Sequence, residues 1–206
     1  MLKEILKFLA IVLAAIVVMY LHEVPKSIAY MHLNPLQNAQ NKKSIYKIRQ
    51  YIDPLGLIFF IIAFVGFSRP YAYRIKDKKT NYILGIVGLG STLVVALLFY
   101  SLHQTLAVNL SIYTRFFSET EAMRQLYYFL EFFIRCIVLL SISLFLVNLV
   151  IPFPSFNIGL LIASKSPKKY FALYQYEHFI KLFFIILVAF NFFTILLRPI
   201  EELLFR

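Results

Sequence analysis

The sequence predicts an all-α polytopic membrane protein, and three observations support this prediction. Hydrophobic residues make up 61% of the 206 residues, well above the roughly 45–50% apolar content of a typical soluble domain. Several apolar runs reach or approach the length of a bilayer crossing. The 22 Phe and 14 Tyr suit lipid contact and the membrane–water boundary. We therefore expect a single membrane domain over residues 1–206, with five to six membrane helices.

The net charge of +11 indicates contact with lipid headgroups rather than with nucleic acid. Lys and Arg residues lie in short segments between the apolar runs, at 42–43, 74–79 and 165–169. This distribution is typical of juxtamembrane charge beside anionic lipids. A nucleic-acid-binding protein would need a continuous basic face outside the membrane, and no loop is long enough to form one. Membrane lipid is thus a predicted partner, and nucleic acid is excluded.

The first predicted helix covers residues 2–33. It resembles a secretory signal at its start, but no cleavage site of small residues follows, so we expect a retained membrane helix. Pro25 lies inside it and predicts a kink or a local unwinding, because proline removes a backbone hydrogen-bond donor. After this helix, residues 36–51 are polar and basic, which predicts a short interfacial hairpin or re-entrant segment.

Three ionisable residues stand together near the end of this first helix: His22, Glu23 and Lys26. Ionisable groups inside a membrane helix are costly unless they face protein or water, and they indicate a functional site by default. Glu23 and Lys26 are three residues apart, so they share one helix face and can form an ion pair. The sequence therefore places its candidate site here.

The remaining helices are predicted over residues 54–67, 82–102, 123–150, 157–163 and 178–197. The second begins with Asp53 and Pro54, a good start signal for a helix. Gly85, Gly88 and Gly90 lie near the start of the third and favour close approach of another helix. Residues 103–122 are expected at the membrane interface, residues 165–169 form a predicted basic loop, and Arg198-Pro199 is expected to end the last helix.

The fourth predicted helix carries two opposite charges within its apolar sequence. Glu131 and Arg135 are four residues apart, which is the spacing of an ion pair within one helix. We expect the two charges to neutralise each other; the alternative is contact with a partner or with the central site.

In order and spacing, five short motifs resemble those of the site-2 protease family of intramembrane zinc metalloproteases, in its compact bacterial form. The His-Glu-x-x-His helix of the family corresponds to residues 22–26. Its Asp-Pro-x-Gly element corresponds to Asp53, Pro54 and Gly56. A Gly-x-x-x-Pro segment matches residues 66–70.

Two further motifs follow in the same order. A Gly-Pro-x-x-Asn helix of the family corresponds to residues 88–92, beginning at Gly88. The Asn-Leu-x-Pro-x-Pro-Pro-x-Asp-Gly segment corresponds to residues 148–158, with Asn148, Pro152 and Pro154 retained and one residue inserted. The resemblance implies a site-2-protease-like fold across most of the chain.

The chain departs from this family at the metal ligands. Such a peptidase needs two His on one helix face, a distant carboxylate and a Glu that activates the bound water. His22 and Glu23 stand at the first ligand position and the acid/base position, but Lys26 replaces the second His and Asn157 replaces the Asp. An ammonium has no lone pair for a metal, and an amide oxygen is a poor zinc ligand. The resemblance therefore implies a vestigial Glu23, former-site lining by Pro25, Lys26 and Asn157, and no cofactor.

The two replacements compensate each other electrostatically. Losing the metal removes two positive charges from a buried pocket; Lys26 restores one positive charge, and Asn157 deletes one negative charge. The hypothesis is that Lys26 replaces the zinc, so that the fold survives without metal.

Three functions follow from these observations. The first is a non-catalytic member of the site-2 protease fold, a pseudoprotease that binds another membrane protein or a peptide segment through the former active-site cleft. The second is an active intramembrane zinc peptidase with unusual ligands, including His22 and other histidines such as His32, His103 and His178. The third is a small membrane transport component that uses Glu131, Arg135 and the first-helix cluster as a polar path.

The predicted location is the bacterial cytoplasmic membrane. The distribution of Lys and Arg between alternate loops favours a cytoplasmic N-terminus. The single Cys136 permits no disulfide within the chain and is expected to be buried.

Overall fold

A computed structural model describes residues 2–35, 45–71, 73, 77–116 and 120–205. Within these ranges the chain is α-helical and contains no β-strand. The helices, numbered in chain order, are α1 (Leu2–Leu33), α2 (Pro54–Ala63), α3 (Lys78–Phe116), α4 (Glu121–Val150), α5 (Asn157–Lys165), α6 (Pro167–Gln175), α7 (Glu177–Ala189) and α8 (Phe192–Leu204). A short 3-10 helix covers Ile48–Gln50. Residues 36–44 of the predicted interfacial hairpin lie outside the described part of the chain.

The described residues contain three helices that are long and apolar enough to cross a membrane. They are Lys3–Leu33, Lys78–Ala107 and Glu121–Val150. Together, α6 and α7 form a fourth candidate, bent by 66° where they meet. The chain is therefore an integral membrane protein of the α-helical class.

The first and second helices begin where the sequence predicts. The carboxylate of Asp53 accepts hydrogen bonds from the backbone N–H of Leu55 (3.0 Å) and Gly56 (2.9 Å), which caps α2. In α1 the chain stays helical through Pro25 to Leu33, so the local unwinding expected there is absent. Proline removes only one backbone hydrogen bond, and the surrounding turns keep theirs.

Two predicted boundaries are wrong. Helix α2 ends at Ala63 rather than at residue 67, because Phe64 adopts a left-handed conformation (φ 54°) and turns the chain back. Helix α3 extends to Phe116, whereas the sequence predicts its end at residue 102. Residues 103–116 contain no Gly or Pro, so nothing in them stops a helix once the preceding turns have formed.

The last part of the chain also differs from its prediction. The expected basic loop is the start of α6, where Pro167 occupies the first turn and Ser166 accepts a hydrogen bond from Lys169 N. The predicted helix over 178–197 is two helices, since Asn191 takes a left-handed conformation (φ 55°) between them. Helix α8 then runs through Pro199 to Leu204.

The core lies between α1, α2 and α4. Buried side chains of α1 and α4 pack together around Phe60 of α2: Ala14, Ala15, Val18, Met19, Cys136, Ile137, Leu140 and Leu144. Cys136 is 1% exposed, as the sequence predicts. Helix α3 packs against α1, α4 and the short α5. Residues 65–70, α3 and α5 come together at the polar end of α1.

Candidate functional site

The ionisable cluster of α1 is fully inside the protein. His22, Glu23 and Lys26 are each 1% exposed. The Lys26 ammonium lies 3.0 Å from Glu23 Oε1, and His22 Nε2 lies 3.4 Å from the same oxygen. Because burial removes water from these groups, the charge of Glu23 depends on Lys26 for compensation. The predicted contact between Glu23 and Lys26 is thus formed.

An irregular segment, residues 65–70, adds a hydroxyl to this cluster. Ser68 Oγ donates a hydrogen bond to Glu23 Oε1 at 2.7 Å. The segment is held by a bond from Arg69 N to Tyr51 O (2.9 Å). It also lies directly on α2, where a Cβ at Gly56 would contact the Phe67 carbonyl. Only glycine allows this approach of two backbones, so the Asp-Pro-x-Gly element positions Ser68.

Helices α3 and α5 bring Asn157 to the other side of the site. Gly88 of α3 faces the Asn157 side chain, and a Cβ at Gly88 would overlap the amide. Ser91 Oγ, one turn further on, lies 3.4 Å from the His22 carbonyl. Asn148 Oδ1 accepts a hydrogen bond from Asn157 N at 3.2 Å and so fixes the start of α5. The structure therefore gathers residues of four motifs around one polar region.

Several polar atoms of this region have no hydrogen-bond partner among the described residues. They are Oε2 of Glu23, and Oδ1 and Nδ2 of Asn157. Buried polar atoms are satisfied in most native proteins, and exceptions often mark functional sites. Donors and acceptors remain here for the polar groups of a ligand.

A cleft opens beside this cluster, with a cavity volume of about 240 Å³. Five of its thirteen lining residues are phenylalanines: Phe59, Phe67, Phe153, Phe156 and Phe184. Ser68 lines the cleft and also bonds Glu23, so it connects the open space with the buried charges. The lining combines a large apolar surface with few polar groups, which is the usual composition of a binding site.

The rim of the cleft is charged. Lys181 and Glu177 of α7 form an ion pair at 2.7 Å, and the Lys181 ammonium lies 5.6 Å from the centre of the Phe153 ring. Asp53 lines the same cleft while it caps α2. The loop that carries Pro152 and Pro154 also lines the cleft, through Phe153, Ser155 and Phe156.

Tyr51 connects the site to the segment before α2. Its hydroxyl donates a hydrogen bond to the Ile45 carbonyl (2.6 Å) and is hydrogen-bonded to Ser27 Oγ (2.9 Å). The side chain is fully buried. Burial raises the pKa of Tyr51 to about 12, and the nearby Glu23 charge also contributes.

Tyr51 is predicted to make stability depend on pH in the alkaline range. Its phenol ionises near pH 10 in the unfolded chain and near pH 12 in the folded protein, so its contribution is complete below pH 10 and is lost as the pH rises to 12. Tyr51→Phe should lower the free energy of unfolding by about 1–2 kcal/mol at pH 8 and reduce the decline between pH 10 and 12. Urea unfolding in detergent measures both effects, and Tyr174→Phe, at an exposed site, is the control. An unchanged alkaline decline would contradict the assignment.

The predicted ion pair between Glu131 and Arg135 is replaced by contacts with other helices. Arg135 Nη2 lies 2.8 Å from Glu201 Oε1 on α8, and Glu131 Oε1 lies 4.0 Å from His103 Nε2 on α3. The prediction considered one helix in isolation, whereas α8 folds back against α4 and offers Arg135 a carboxylate at hydrogen-bond distance. Neither residue belongs to the cleft.

The residues at the site do not fit a zinc ion of the kind the resemblance implies. Within the described ranges, no group of three or more His, Cys, Asp or Glu side chains could hold a metal. Lys26 stands where the second imidazole is needed, and it is engaged with Glu23. Asn157 offers an amide in place of a carboxylate, which is a weak donor for zinc.

Sequence reasoning missed Ser68, Tyr51 and the aromatic wall. Ser68 lies within the Gly66-to-Pro70 motif, which marks its position but gives its side chain no role. The wall joins side chains that are more than 100 residues apart along the chain, such as Phe59 and Phe184. No local pattern in the sequence indicates such a contact.

No family model, curated protein or solved structure matches this chain.

Proposed function

We propose that this protein is a non-catalytic member of the site-2 protease fold that binds a peptide segment of another membrane protein in its aromatic cleft. One observation carries the proposal: Ser68 belongs both to the cleft and to the buried cluster around Glu23. A peptidase would need such a link, because its reacting groups must be next to the bound peptide. Here Ser68 provides the link between the cleft and Glu23. The connection is retained, whereas the ligands for a metal are replaced.

The charge arrangement supports binding without cleavage. Glu23 accepts hydrogen bonds from Lys26 at 3.0 Å and from Ser68 at 2.7 Å, both to Oε1. The Lys26 ammonium therefore compensates the Glu23 charge in the place where a peptidase of this kind would need a metal ligand. Glu23 is suited to neutralise Lys26 and to orient Ser68.

The shape and chemistry of the cleft favour a polypeptide as ligand. Five phenylalanines supply pockets for apolar side chains, and Phe67, Ser68 and Pro70 of the irregular segment 65–70 border the space. Apolar side chains of a bound peptide can enter these pockets while its polar groups meet Ser68. The Glu177–Lys181 pair at the rim suits the polar end of such a segment.

The proposal can be tested by crosslinking in native membranes. A photoreactive amino acid replaces Ile185, which lines the cleft, or Leu97, which lies on α3 and is 65% exposed. We expect Ile185 to give a discrete adduct with one membrane polypeptide, identified by mass spectrometry as uncut. Leu97 should give no such adduct, because it faces lipid.

A second variant makes the result specific to the cleft. Ser155→Trp places a large ring at the cleft wall and should abolish the adduct while the protein stays folded. A cleaved polypeptide, together with one zinc per chain that is lost on His22→Ala, would support an active zinc peptidase instead. An adduct that survives Ser155→Trp would refute binding in the cleft.

The proposal includes three further expectations about the chain. The site-2 protease fold implies five to six membrane helices, of which short elements such as α2 and α5 would form part. The location is the bacterial cytoplasmic membrane. The distribution of Lys and Arg favours a cytoplasmic N-terminus.

A further inference from the structure

A second cavity lies between α1, α4 and α8. Its volume is about 330 Å³. Its lining combines charged or hydroxyl-bearing side chains with apolar ones: Lys7, Tyr128, Glu131, Arg135 and Glu201, and Phe64, Phe132, Cys136 and Leu139. It shares no lining residue with the cleft, and the inference below does not rest on the proposed function.

Lys7 places one wall of the cavity near the start of α1. Lys7 is four residues inside the candidate span Lys3–Leu33, which corresponds to about 6 Å along the helix. The site around His22 is 15 residues further along α1, or about 22 Å. Lys7 therefore lies near the end of the candidate span that is away from His22.

The charges of the cavity remain partly exposed in the folded chain. The exposed fractions of the side chains are 36% for Lys7, 41% for Glu131, 35% for Arg135 and 38% for Glu201. Charged groups at the margin of a membrane span are costly when they face acyl chains, and they require polar partners. A polar ligand that enters the cavity would provide them.

Three of these four charges already have a close partner. The Lys7 ammonium lies 3.0 Å from Glu4 Oε1, on the same helix and with a largely exposed carboxylate. Arg135 is bonded to Glu201 at 2.8 Å and also lies 4.9 Å from the centre of the Phe205 ring. Glu131 is paired less closely than these charges. Its nearest ion-pair partner among the described residues is His103, whose Nε2 lies 4.0 Å away and carries a charge only when the ring is protonated. Glu131 is thus the carboxylate best placed to accept hydrogen bonds from an ammonium.

We propose that this cavity binds the headgroup of a phospholipid with a primary ammonium, such as phosphatidylethanolamine. The ammonium donates hydrogen bonds to Glu131, and the phosphate lies near Lys7. The acyl chains follow the apolar side of the cavity along Phe132 and Leu139. This ligand matches both signs of charge as well as the apolar wall, which a purely anionic headgroup does not.

The test compares lipids that differ only in the headgroup. Binding of phosphatidylethanolamine, phosphatidylcholine and phosphatidylglycerol to the purified protein is measured by native mass spectrometry at several lipid concentrations. We expect phosphatidylethanolamine to bind about tenfold more tightly than phosphatidylcholine, because a trimethylated ammonium cannot donate hydrogen bonds to Glu131. Glu131→Gln should remove this preference.

Two further variants complete the design. Glu121→Gln removes an exposed carboxylate from the same helix outside the cavity and should leave the preference unchanged. Lys7→Gln should weaken all three lipids, since each carries the phosphate. Equal binding of phosphatidylethanolamine and phosphatidylcholine to the unmodified protein would overturn the proposal. So would a preference that persists in a folded Glu131→Gln variant, or one for phosphatidylglycerol.

Discussion

Lys26→Met is expected to lower the free energy of unfolding by about 3–5 kcal/mol, the cost of leaving a buried charge without its partner. Glu23 is 1% exposed and lies 3.0 Å from the Lys26 ammonium. Methionine fills a similar volume, so the loss reflects charge rather than packing. Thermal unfolding in detergent should show a midpoint lower by roughly 10 °C.

The double variant Lys26→Met with Glu23→Gln should recover at least half of this loss. It removes both charges, and the new amide oxygen can still accept the hydrogen bond from Ser68. A double-mutant cycle gives the coupling energy between the two residues. If the single and double variants unfold alike, Lys26 does not replace a metal electrostatically.

A matched control is available at the rim of the cleft. Lys181→Met breaks the ion pair with Glu177, which has a similar length (2.7 Å) but a half-exposed lysine. Such a pair contributes less than about 1 kcal/mol. The difference between the two lysine variants therefore measures the effect of burial on the pair at the site.

Gly56→Ala is predicted to have the second largest effect, a destabilisation of about 1–3 kcal/mol. The new Cβ would fall 3.0 Å from the carbonyl carbon of Phe67 and closer still to its oxygen. The contact is with backbone, so a change of side-chain rotamer cannot relieve it. Residues 65–70 would have to move, and Ser68 would lose its hydrogen bond to Glu23.

Gly90→Ala is the control for this prediction. No atom lies within 4 Å of a Cβ at Gly90, and alanine favours helix by about 0.5–1 kcal/mol over glycine. We therefore expect Gly90→Ala to be neutral or stabilising. Chemical denaturation of both variants measures the difference, and an equal effect at the two positions would show that residues 65–70 do not lie on α2 as described.

Much of the site could be predicted from residues close together in the sequence. Glu23 and Lys26 meet because a helix places residues three apart on one face. Asp53 and Pro54 mark the start of α2 because a capping carboxylate and a proline suit the first turn. These are local rules, and the structure follows them.

Other features could not be read from local patterns. Arg135 pairs with Glu201, 66 residues away, rather than with Glu131 one turn away. The position of Glu201 depends on the break at Asn191, which turns the last helix back toward α4. Which carboxylate pairs with Arg135 is thus a property of helix packing.

The sequence by itself determined that this is a helical membrane protein and that its most polar cluster is on the first helix. Apolar run length and helical periodicity are properties of short stretches of chain, so they do not depend on the fold. Only the tertiary structure decided that Ser68 joins Glu23 and that five phenylalanines form a cleft beside it. The absence of a side chain at Gly56 lets the segment of Ser68 and Phe67 lie on α2, and at Gly88 it lets Asn157 approach α3.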